Sequence, residues 1–171
     1  MKFGIQAHHF SGNFFEIKNY FWSRKYRGES AIWDGGRTRG TRANDYSWCR
    51  QNCISTGLWS LGRTNPTVIH APGFWLDMLP KGIPLHGELW CDDNQDFVQS
   101  VCRRHKPDHM KWGIISFIPY NIKPGIYWGW NDKYNIPFKE KVPILENINS
   151  PIIKNITYGV VDSLETFDAI H

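Results

Sequence analysis

Lys25, Arg63, Glu88 and Tyr120 are the residues whose types, taken together, could do chemistry. A lysine attacks phosphorus only as the neutral amine, and its reference pKa is about 10.4, so it needs help from its surroundings. Neighbouring cations and partial burial both favour the neutral form. Arg24 and Arg27 flank Lys25 in the stretch "SRKYRG". A carboxylate such as Glu88 binds a divalent metal or a ribose hydroxyl. An arginine such as Arg63 steadies phosphates through charge-assisted bonds. An aromatic such as Tyr120 stacks on a base. These are the parts needed to transfer a nucleotide onto a lysine.

The elements around them read as strands joined by turns and short helices. Residues 29–34, "ESAIWD", form a strand closed by Gly35 and Gly36. "PLHGELWC", residues 84–91, alternates: Leu85, Gly87 and Leu89 face one way, and His86, Glu88 and Trp90 the other. Glu88 therefore sits on the face away from the core. "WGIISFIPYNI", residues 112–122, is a buried strand interrupted by Pro119. Short strands are expected at 67–71 and 155–162, and a short proline-bounded helix at 72–80. Phe97, Val98, Val101 and Cys102 make the apolar stripe of a helix over 94–105. Asp162 and Glu165 carry a capping-box pattern that opens a further helix. Residues 37–57 read as a long loop, functional or mobile. The fold class is α+β, mainly antiparallel sheet with short helices.

The totals narrow the function classes. The chain has 171 residues, 41% hydrophobic and 21% charged, a composition suited to one globular domain. No apolar run approaches the roughly 20 residues of a membrane span, and residues 1–6 lack the apolar centre of a signal peptide. A cytoplasmic, monomeric protein is the expectation. Net charge is +4, and the excess is local. Arg37, Arg39, Arg42 and Arg50 fall in the long loop among Tyr46 and Trp48, a mixture that can track a phosphate backbone. The run Cys102-x2-His105-x3-His109 has a spacing that suits a metal. It lacks a Cys-x2-Cys pair, however, and reads as the end of an amphipathic helix.

"KYRGESAIWDGG", "GLWSLGR", "VIHAPGFWLDMLPKGIPLHGELW" and "ISFIPYNI" follow one another in an order that carries further information. Together they resemble the adenylation domain of ATP-dependent DNA ligases, particularly the small phage-type enzymes. That family groups with RNA ligases and mRNA-capping enzymes as covalent nucleotidyltransferases. The resemblance covers about residues 20–125, and its most specific part is 67–90. It implies that Lys25 forms the phosphoamide with AMP and that Gly28 is the glycine of the same motif. Arg63 matches the arginine of the following motif, with Arg39 as the rival. Glu88 matches the glutamate of the Gly-Glu-Leu strand and is the implied magnesium ligand. Tyr120 matches the aromatic that stacks on adenine, with Phe117 three residues before it. ATP and Mg2+ are the implied cofactors, nicked duplex DNA or another nucleic acid the implied partner, and a phage or prophage the implied source.

The chain departs from the family pattern at four places. Arg27 stands where the family has aspartate, Ser30 where it has arginine, His86 where aspartate precedes Gly-Glu-Leu, and Asn121 where aspartate follows the stacking aromatic. Replacing a carboxylate by a cation moves the local charge by two units. The family's later Glu-Gly strand, Lys-x-Lys strand and C-terminal OB-fold are not found. Residues 1–171 are therefore expected to be one partial adenylation domain without the OB-fold, inactive in nick sealing by itself. The alternative expectation is a degenerate module that binds nucleotide or nucleic acid without chemistry.

Overall fold

A computed structural model describes residues 19–61, 65–122, 133–163 and 165. Its centre is a five-stranded antiparallel sheet of β2 (Glu29–Trp33), β3 (Leu58–Ser60), β4 (Thr67–Val68), β5 (Leu85–Trp90) and β6 (Ser116–Ile122). The strand order is β4-β3-β2-β5-β6. A second, two-stranded sheet pairs β1 (Phe21–Trp22) with β7 (Gly159–Val160). Among the described residues four short α-helices, α1 (Gly73–Leu76), α2 (Gln95–Cys102), α3 (His109–Trp112) and α4 (Phe138–Glu146), and one 3-10 turn (Ala43–Asp45) accompany the sheets. The architecture is α+β with antiparallel sheets, as the sequence leads one to expect. No helix among the described residues is long and apolar enough to cross a membrane.

The two faces of the sheet have different company. Ala31, Trp33, Leu58, Leu85, Leu89, Phe117 and Ile122 share one buried cluster with Trp75, Val98, Val101, Trp112 and Leu145 of the helices. Period-2 alternation in β5 delivers Leu85, Gly87 and Leu89 to that face. Two of the buried indoles satisfy their N–H groups: Trp33 donates to Pro80 O at 2.8 Å and Trp75 to Ile115 O at 2.9 Å. The opposite face carries Ser30, Glu88 and Ile118 in one row and Ile32, His86 and Asn121 in the next, fixed by the β2–β5–β6 register.

Several expectations need correcting. The strand expected over 112–122 begins only at Ser116, because Trp112 ends α3 under the Asp108 cap. The strand expected over 155–162 shrinks to Gly159–Val160. Just before it, Phe117 takes the backbone bonds of a neighbour, donating to Ile152 O at 2.7 Å and accepting from Lys154 N at 2.9 Å. The 37–57 segment is not slack. Asp34, fully buried, accepts from Thr38 Oγ1 and from Trp59 Nε1, and Thr38 Oγ1 meets Ser55 Oγ at 2.7 Å. Backbone bonds from Gly40 and Ala43 to Ser55 and Cys53, and from Ser55 to Thr41, fold the loop on itself. The helix expected after Asp162 lies largely outside the described residues.

Candidate active site

Lys25 lies in the extended arm between β1 and β2, and the arm is held from both ends. Tyr26 is buried at its middle, edge-on to Trp90 at 5.6 Å, with the Arg24 guanidinium 4.6 Å from its ring centre. The Lys154 ammonium lies 4.3 Å from the Trp90 ring. Two residues on, Gly28 passes so close to β5 that a Cβ built there would lie 1.8 Å from Leu89 O. Only glycine permits that approach. Alternation then leaves Lys25 exposed, on the side of the arm away from Tyr26's packing.

Asp93 organises the arm, and no sequence pattern marks it. It follows β5 with φ of 53°, after Asp92 at 50°, both in the left-handed region. One carboxylate oxygen accepts from Arg27 N at 3.1 Å and from Trp90 Nε1 at 2.5 Å, and the other from the Arg24 guanidinium at 2.6 Å. The Trp90 indole, the Arg27 N–H and Arg24 together hold this carboxyl below its usual range.

Glu88 stands opposite Ser30 in the register. Its Oε1 accepts from Gly28 N at 3.0 Å, and its Oε2 from Ser30 Oγ at 3.3 Å. Burial nevertheless pushes it up to about 7. The Gly28 and Ser30 bonds and the Lys25 charge only partly oppose that desolvation.

Tyr120 lies on the same face, at a β-bulge. His86 pairs with Asn121 and Gly87 with Pro119, so Tyr120 is the extra residue between them. Pro119 has no N–H for the ladder, which suits a bulge position. Tyr158 donates its hydroxyl to Tyr120 O and Pro119 O, strapping the bulge from the β7 segment. The Tyr120 ring lies 6.5 Å from that of His86, nearly perpendicular, and burial pushes its phenol up.

A cavity of about 690 Å³ joins these parts. Lys25, Ser30, His86, Glu88 and Tyr120 line it together with an aromatic wall of Tyr20, Phe21, Trp22, Phe138 and Tyr158. The wall is continuous: Phe21 meets Phe138 edge-on at 5.0 Å, and Phe138 meets Tyr158 at 5.3 Å. A second cavity of about 480 Å³ shares Lys25, Tyr26 and Glu88 and adds Arg27, Gly28 and Gln95.

Other candidates lie elsewhere. Phe117 is fully buried opposite Leu89 and belongs to the core face, not to the cavity. It stands three residues from Tyr120, and odd spacing in a strand puts two side chains on opposite faces. Arg39, the rival to Arg63, sits beyond the other end of β2, where it pairs with Asp77 at 2.7 Å and lines a separate cavity of about 270 Å³. Arg63 lies outside the described residues. Arg37, Arg42 and Arg50 are exposed on the loop after β2, and none lines the cavities at Lys25. Cys102 faces the core at the end of α2, while His105 packs against His70 with ring centres 5.1 Å apart.

The magnesium ion implied at Glu88 can be tested against the residues present. Magnesium takes hard oxygen donors in an octahedron. Both Glu88 oxygens already accept hydrogen bonds, and its carboxyl is half neutral near pH 7. The neighbouring positions hold Arg27, His86 and Asn121, and the described residues contain no group of three His, Cys, Asp or Glu able to hold a metal. This donor set does not fit a magnesium ion held by the protein.

No protein-family model matches the chain. No curated protein matches it either. Solved structures do: one is described as "DNA binding with a minimal scaffold: Structure-function analysis of Lig E DNA ligases", at a TM-score of 0.58 and 18% sequence identity. The match covers 90% of this chain and 50% of the ligase chain, so the chain spans about half the ligase's length. What the two share is the fold, over about half of the ligase chain.

Proposed function

We propose that the chain is a ligase-like nucleotidyl-transfer domain in which Lys25 accepts AMP from ATP. One observation carries this reading. Lys25, Glu88 and Tyr120 come from three separate elements and line a single cavity. The volume of about 690 Å³ falls within the ordinary range for a small-molecule pocket. Its aromatic wall suits a base, and its Lys25 end suits the phosphates.

In the reaction proposed, the neutral Nζ of Lys25 attacks the α-phosphorus. An N–P bond forms, and the bond from the α-phosphorus to the bridging oxygen breaks. Pyrophosphate leaves with the electron pair, and the amine's proton passes to solvent. Tyr120 stacks on the base, and Glu88 orients the ribose by accepting its hydroxyl at Oε2, the oxygen that also accepts from Ser30. Any metal ion riding on the phosphates belongs to the substrate. The later steps are proposed only for a protein that also has a second half of the kind the ligase has. In them AMP moves to a 5′-phosphate at a nick, and the 3′-hydroxyl displaces it. The exposed arginines of the 37–50 segment are proposed to meet the nucleic acid backbone.

Transfer of label from α-labelled ATP to the folded chain, lost in Lys25→Ala, tests the reading. A second reading, nucleotide binding without chemistry, is favoured by Arg27, His86 and Asn121 standing where carboxylates are expected. It predicts saturable ATP binding and no label.

A further inference from the structure

The smaller cavity lies beside the larger one and shares Lys25, Tyr26 and Glu88 with it, but adds a cation and polar groups of its own. Lys25 and Arg27 come from one side, the polar Gln95 from the first turn of α2, and Glu88 from the floor, with the Gly28 backbone between them. Arg27 is exposed, and among the described residues no carboxylate lies within ion-pair distance of its guanidinium. Asp93 is beside it but is engaged elsewhere: it takes the Arg27 backbone N–H and the Arg24 side chain. The arm is thus fixed through the main chain of Arg27, and its side chain remains for the cavity.

Glu88, the carboxylate in this lining, is a weak opponent of an anion. Its two oxygens are held by Gly28 and Ser30, and desolvation lifts it to about 7. Two cations within a small concavity, one a planar five-donor fork, make a site for phosphate oxygens. The cavity adjoins the larger one through Lys25, Tyr26 and Glu88, so a chain of phosphates could lie in it while a nucleoside fills its neighbour.

We propose that the smaller cavity is a polyphosphate subsite in which Arg27, with Lys25, supplies the countercharge that the protein's carboxylates do not provide through a bound metal ion. The inference rests on the nucleotidyl-transfer reading for its biological sense, but its binding chemistry stands by itself. It assigns Arg27, the most conspicuous departure from the ligase pattern, a positive role. A subsite of this kind binds the phosphate chain without a divalent ion.

The test is calorimetric titration of the chain with inorganic pyrophosphate in EDTA. Saturable binding is expected, weakened roughly tenfold or more in Arg27→Ala and in Arg27→Asp, and partly restored in Arg27→Lys. Lys106→Ala, which removes an exposed cation remote from the cavity, leaves it unchanged. Because Asp93 grips only the backbone of residue 27, these variants keep the wild-type unfolding midpoint, which is measured beside each titration. Binding that requires added Mg2+, is unaffected by Arg27→Ala, or does not occur overturns the proposal. Titration with adenosine separates the two readings. Adenosine binding without pyrophosphate binding sinks the subsite and leaves the larger cavity's role intact. Pyrophosphate binding through Arg27 without labelling of Lys25 supports the subsite and counts against the transfer reaction.

Discussion

Gly28 donates its backbone N–H to Glu88 Oε1 at 3.0 Å while its Cα presses against the carbonyl of Leu89. One residue thereby sets the distance between the Lys25 arm and the strand that carries the carboxylate. Glycine at this position is a packing requirement: its φ is not in the left-handed region, and what excludes a side chain is that an added Cβ would lie 1.8 Å from Leu89 O.

Gly28→Ala should therefore be severe. Backbone cannot yield as a side-chain tip can, so the β2–β5 edge must open, at a cost of about 3 kcal/mol or more. Gly40→Ala is the contrast. Gly40 has φ of 83° but nothing within 4 Å of an added Cβ, so only the left-handed conformation is penalised, at roughly 1 kcal/mol. Urea unfolding of both variants checks the order. A Gly28→Ala variant as stable as Gly40→Ala would show that the close approach is not real.

Asp93→Ala should loosen the arm without unfolding the domain. Its partners Arg24, Arg27 and Trp90 are gathered locally, and none belongs to the main core cluster. Amide exchange at residues 24–28 is expected to speed up, with the global midpoint little changed. Since this carboxyl is held below 3.8, the anchoring persists through the usual carboxylate range and is lost only as pH falls through the lowered value. Exchange at residue 27 that is indifferent to Asp93→Ala would contradict this.

Glu88 should titrate near neutrality. Its folded value is raised from 4.5 to about 7, so the folded state keeps a proton that the unfolded chain has released. Stability from this group therefore falls as pH rises from about 4.5 to about 7 and is flat outside that window. Glu88→Gln removes the slope in that window. Ser30→Ala raises the midpoint further, because the Ser30 hydroxyl bond lowers it. Carboxyl carbon shifts followed by NMR give both values, and a Glu88 midpoint near 4.5 would refute the burial argument.

What the sequence discloses, and what it hides, follows from the range of the interactions. β5 is legible because one face meets the core and the other does not, so Leu85, Gly87 and Leu89 alternate with His86, Glu88 and Trp90. Pro119 announces an interruption in β6, but not that it takes the form of a bulge with Tyr120 as the extra residue between the Gly87–Pro119 and His86–Asn121 pairs. Asp93 is invisible because its arginine partners lie 66 and 69 residues away, and such pairings leave no local period. α4 is hard to read because Pro143 stands inside it, where a proline forfeits a helical N–H. The 37–57 segment looks slack because buried Asp34, Thr38 and Ser55 hold it, and these residue types ordinarily mark open loops.

Nucleic acid binding, if it uses the arginine loop, should be steeply salt-dependent. Replacing Arg37, Arg42 and Arg50 together by alanine should flatten the log–log salt slope by about 0.9 for each phosphate these side chains neutralise. Arg39→Ala should do less, because its guanidinium is committed to Asp77 at 2.7 Å. Fluorescence anisotropy with a nicked duplex reads both. An unchanged slope in the triple variant would remove the loop from the interface.

The role of Lys25 as the nucleotide acceptor is tested most directly by peptide mapping with mass spectrometry, after the folded chain is incubated with ATP. One added AMP, acid-labile as a phosphoamide is, is predicted on the peptide carrying Lys25, and none in Lys25→Ala. A folded chain that binds ATP and carries no adduct on Lys25, or carries it on another lysine, would contradict that role.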